Sequence, residues 1–73
     1  MKSEAVRRIR SHLIHDAVKE YRRIEKFDAF INDLRKDGAP DNILEEFRTE
    51  RRVIFERFCS LCDDVKDFDK AFM

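Results

Sequence analysis

From Leu44 to Phe72 the residues Leu44, Phe47, Arg51, Ile54, Phe58, Leu61, Val65, Phe68 and Phe72 recur at alternating spacings of three and four. That alternation marks one face of a long helix with a heptad-like seam, the pattern coiled coils use, and Arg51 alone breaks its apolar character. A strand would show a period of two, which is absent here. The stretch therefore predicts a helix over roughly residues 42–72 that needs a partner along one side.

The partner is upstream. Val6, Ile9, Leu13, Ala17, Tyr21, Ile24, Phe27, Ile31 and Leu34 keep close to the same period, with Arg10 and Glu20 at positions a strict heptad would give to apolar residues. Ile14, Val18, Asp28 and Phe30 flank this stripe, and its width suits a helical bundle better than a narrow two-stranded coiled coil. Ser3 is a candidate N-cap, and Glu4 places negative charge where the helix dipole favours it. A helix is predicted over residues 3–36.

Between the two lies the chain's one break signal, Lys36-Asp37-Gly38-Ala39-Pro40-Asp41-Asn42. Gly38 suits a left-handed cap, Pro40 suits a first helical turn, and Asn42 with Glu45 has the spacing of a capping box. A turn this short, placed at 37–41, requires the helices to run antiparallel as neighbours. Charge agrees with that orientation: Lys2, Arg7, Arg8 and Arg10 on the first arm come beside Asp63, Asp64, Asp67 and Asp69 on the last. The expected fold is all-α, a single domain over residues 1–73 that forms an antiparallel two-helix hairpin. Because one seam cannot satisfy Ile14, Val18, Tyr21, Phe30 and Phe55 together, two hairpins are expected to pair as a homodimeric four-helix bundle. That layout resembles the Rop family of small plasmid-encoded helical-hairpin dimers; the similarity is one of layout and carries no functional residue across.

Composition narrows the function classes. With 73 residues the chain buries only ~60% of the surface its unfolded form exposes, so association is the expected remedy for a small core. Sixteen basic and sixteen acidic residues leave no net charge to draw the protein to nucleic acid or an anionic membrane. No apolar run approaches the ~20 residues of a membrane span, and the N-terminus has no apolar signal region. The chain reads as cytoplasmic, without a membrane role, and its two cysteines as reduced thiols.

Four patterns are candidates for chemistry or binding. His12 and His15 with Cys59 and Cys62 supply two imidazoles and two thiolates, a sufficient set for tetrahedral zinc. On the helical wheel, however, Cys62 lies near the core face and His15 almost opposite it. Convergence needs a rotated helix or a second subunit, so the expectation is no cofactor, with zinc as the alternative. Arg8, His12, His15, Lys19, Arg22 and Lys26 form a basic ribbon on the outward side of the first helix, suited to following a phosphate backbone. Arg10, Glu20 and Arg51 are polar seam residues that fix register, with Glu20–Arg57 and Arg51–Glu25 as expected pairs. Phe30, Phe55, Phe68 and Phe72 are apolar surface that a protein partner would cover.

No concave set of acid, base and nucleophile emerges, so the protein is expected not to be an enzyme. The expected function is that of a small regulatory or adaptor protein acting by protein–protein interaction. The alternative is a nucleic-acid-binding regulator that uses the basic ribbon.

Overall fold

The computed structural model describes residues 3–72. Two helices, α1 (Glu4–Lys36) and α2 (Asp41–Phe72), pack against each other as a hairpin about 57 Å long. Lys2, expected in the basic arm, lies outside the described residues.

Local chemistry sets the ends. The Ser3 hydroxyl accepts from the Val6 amide at 3.2 Å, which satisfies one of the free donors at the start of α1. At the other end Gly38 adopts φ 82°, its amide donates to the Arg35 carbonyl at 3.1 Å, and the Ala39 amide donates to the Leu34 carbonyl at 2.9 Å. This paired pattern is a Schellman motif, and only glycine enters its left-handed position without steric cost. The second turn signal works differently from expectation. The Pro40 carbonyl accepts from the Ile43 and Leu44 amides, so Pro40 itself caps α2. Asn42 falls inside the first turn and makes no capping box, and Glu45 pairs instead with Arg48 at 3.4 Å.

The seam follows the strict alternation of three and four on both helices. Ala17, Ile24, Ile31, Leu44 and Ile54 are its buried centre. On α1 this turns Arg10 and Glu20 inward, while Ile9 and Tyr21, expected in the stripe, remain 50% and 49% exposed. Helix phase is decided by the whole stripe. The long stem of Arg10 lies along the seam while its head reaches the edge, whereas Glu20 stays largely covered.

Register is held by three cross-helix contacts. Arg10 Nε and Nη2 donate to the two carboxylate oxygens of Asp69 at 2.8 and 3.2 Å. Tyr21 lies against Phe58 with ring centroids 5.7 Å apart. Arg51 donates through Nε and Nη2 to both oxygens of Asp28. Steps of eleven and then seven residues lead from Arg10 to Tyr21 to Asp28, and equal steps lead back from Asp69 to Phe58 to Arg51. The chain therefore folds back between Ala39 and Pro40. Folding about Gly38 places Arg51 beside Glu25 and Glu20 beside Arg57; the added residue or two of turn moves Arg51 to Asp28, and Glu20 pairs within its own helix with Arg23 at 3.6 Å.

The hairpin is thinly buried. Among the described residues no side chain falls below 2% exposure, and the accessible surface is 5832 Å². A compact monomer of 8.9 kDa exposes about 4,800 Å². The radius of gyration, 16.7 Å, also exceeds the ~11 Å of a compact chain of this length.

Candidate functional site

A helix residue that follows a seam position by one turns to one side of the hairpin, and one that precedes it turns to the other. Because the helices are antiparallel, the residues that follow on α1 share a side with those that follow on α2. Ile14, Val18 and Tyr21 follow seam residues, as do Phe55 and Cys62. Ile14, Val18, Tyr21 and Cys62, with Phe58 and Val65 in the floor and Lys66 at the edge, line a shallow and almost wholly apolar groove on this front face, and Phe55 stands on the same face beside it. Asp28 and Asp69 also follow seam residues, so the two bidentate ion pairs stand as posts at the ends of the groove, about 27 Å apart. Each joins groups that are about one-third to one-half exposed, so the posts set register more than they add stability. Hydrogen bonding to Asp69, and its charge, raise Arg10 above the ordinary arginine value.

The rear face is different. Ile9, Phe30 and Val53 each precede a seam residue and are exposed. Phe30 stands edge-on to Phe47, with centroids 5.0 Å apart, and Phe27 completes a cluster of three rings beside Lys26. At the far end of the hairpin Phe68 and Phe72 stack within α2 at 4.7 Å, and Phe72 stays 55% exposed. The four expected partner-binding phenylalanines are thus divided among three places. Phe55 is on the front face beside the groove, packed by Phe58 and beneath the Arg51 guanidinium. Phe30 is on the rear, and Phe68 with Phe72 is at the tip.

Arg8, His12, His15, Lys19, Arg22 and Lys26 of the basic ribbon are all exposed, and Lys26 borders the rear ring cluster. Arg8 lies 3.9 Å from Glu4, and none of the other five makes an ion pair among the described residues.

Within the hairpin the four candidate metal ligands are not brought together. Cys62 lines the front groove, Cys59 is exposed on α2, and His12 and His15 project from the outer side of α1. Among the described residues no three His, Cys, Asp or Glu side chains form a group that could hold an ion. The helix rotation that convergence requires would bury the ribbon and expose the Ala17, Ile24, Ile31 core. Also among the described residues, no helix is long and apolar enough to cross a membrane.

Glu20 is a feature that sequence reasoning placed but did not weigh. Its side chain is 16% exposed, and Oε2 is buried with no hydrogen-bond partner. An unpartnered buried oxygen costs more than an apolar group of similar shape. Glu20→Leu is therefore expected to stabilise the fold by about 1 kcal/mol, read as a higher urea midpoint with an unchanged slope. A lower midpoint would mean that Glu20 has a partner that holds it.

Comparison of the chain with protein-family models, curated proteins and solved structures finds no match.

Proposed function

We propose that this chain is a small non-enzymatic regulatory or adaptor protein that acts by protein–protein interaction, and that two hairpins pair into a four-helix bundle to do so. The observation that carries the reading is area. The hairpin exposes roughly 1,000 Å² more than a compact monomer of its mass, close to the ~800 Å² that each partner contributes to a standard interface. The front groove is the part of that excess with an apolar floor and charged ends, the anatomy of an interface core and rim. Self-association there leaves the Phe27, Phe30 and Phe47 cluster and the Phe68–Phe72 tip for a protein partner. Sedimentation over a range of concentrations tests the pairing, with twice the 8.9 kDa chain mass expected. A monomer throughout would overturn it.

The unpaired ribbon supports a second reading, binding to a nucleic-acid backbone. Lys19→Glu with Arg22→Glu is then expected to abolish binding to duplex DNA or RNA, and the wild type should lose affinity steeply as salt rises. No binding by the wild type at low salt would remove this reading.

A further inference from the structure

The chain's neutrality conceals a division of charge. α1 carries nine Lys and Arg against six Asp and Glu, while α2 carries six against nine. With histidines neutral the helices therefore hold +3 and −3. Two hairpins can meet face to face about a two-fold axis in either of two ways. If the axis runs along the helices, both turns lie at one end and each α1 lies antiparallel to the partner copy's α2. If the axis crosses them, the turns lie at opposite ends, with α1 against α1 and α2 against α2. The first arrangement opposes +3 to −3 at both new contacts. The second sets like charge against like, and complementary charge is what selects among otherwise similar dockings.

Resting on the pairing proposed above, we infer that two copies join through the front groove with their turns at the same end, α1 of each along α2 of the other. Two details of the groove agree. Equal steps along the two helices put Ile14 and Tyr21 level with Val65 and Phe58, and Val18 within one residue of Cys62. An axis along the helices preserves level, so apolar side chains meet apolar side chains from Ile14 to Tyr21, with Lys66 at the groove's edge. Beside the groove, Glu25 follows the seam residue Ile24 and Arg52 follows Arg51, so both turn to the front. Both are exposed, neither makes an ion pair among the described residues, and their levels differ by two residues, about 3 Å along the axis. They stand on opposite sides of their own groove and make no ion pair with each other. In the inferred dimer each Glu25 comes beside the other copy's Arg52, twice per dimer. In the crossed dimer Glu25 meets the N-terminal half of the other α1 instead.

This geometry has a test that intrachain effects cannot imitate. Glu25→Arg gives two like-charged contacts in its homodimer, as does Arg52→Glu, and each variant alone is expected to dimerise about tenfold more weakly at low salt. Mixed in equal amounts, the two variants restore opposite charge at both contacts, so a heterodimer of wild-type strength is expected. A second measurement uses spin labels on Asp37→Cys in a Cys59→Ser, Cys62→Ala background. Turns at one end place the labels on the order of 20 Å apart, given interaxial spacings of 8–10 Å. Turns at opposite ends place them near the 57 Å length of the hairpin. Rescue on mixing with a short label distance supports the inference. A dimer with no rescue and a long distance overturns the orientation and leaves the pairing standing, whereas a monomer at every concentration overturns both.

Discussion

Ile24→Asp is expected to unfold the hairpin outright. Ile24 is 5% exposed at the middle of α1, and it is one of the five buried apolar side chains of the core among the described residues. Truncating a buried isoleucine costs about 2–5 kcal/mol, and a buried carboxylate with no partner adds a further desolvation cost. A single core in a chain of this size rarely supplies more than ~3–5 kcal/mol, so the substitution exceeds the available stability. The expected observation is loss of the cooperative melt and of most far-ultraviolet helical signal at 25 °C. Val53→Asp, on the exposed rear of α2, is the matched control and should leave the melt within a few degrees of the parent. Equal loss in both variants would show that the seam is not the core.

The second large effect is on association. Val18 lines the front groove, Phe55 stands on the same face beside it, and both are exposed in the isolated hairpin. Val18→Asp with Phe55→Asp is expected to weaken dimerisation at least 100-fold while leaving helical content unchanged. Two-fold symmetry counts each substitution twice, and each replaces buried apolar area with a desolvated charge. Sedimentation should show a monomer at concentrations where the parent is dimeric. Phe30→Asp, on the opposite face, should leave the mass unchanged. If Phe30→Asp dissociates the dimer and the groove variant does not, the rear cluster is the pairing surface.

Much of this architecture is legible without coordinates because its signals are local. Ser3 and Gly38 each act within a few residues of themselves, and the helices accordingly run Glu4–Lys36 and Asp41–Phe72. Register is not local. It depends on where the turn folds the chain back, and a fold point between Ala39 and Pro40 instead of at Gly38 gives Arg51 to Asp28 and not to Glu25. Helix phase is intermediate. Hydrophobicity ranks Ile9 above Arg10 and Tyr21 above Glu20 for the seam, yet a rigid helix cannot turn those two levels inward without turning Ala17, Ile24 and Ile31 away. Once the phase is known, the division of Phe30 from Phe55 follows from their places one before and one after a seam residue. The function is the least legible part, because an interface made of leucine-like surface and surface charge uses the same residues as ordinary packing and solvation.

The equal intervals between the cross-helix contacts have a consequence for how the chain can change in length. Between Tyr21 and Asp28, and between Arg51 and Phe58, each helix spends seven residues, two turns of the seam. Removing or duplicating that heptad in one helix alone would leave Asp28 with Arg51 but set Arg10 and Asp69 out of step. Removing or duplicating it in both at once returns every seam residue to the same face and every post to its partner, and changes the rod by about 10 Å. The hairpin is built in matched increments, so its reach is adjustable where its cross-section is not.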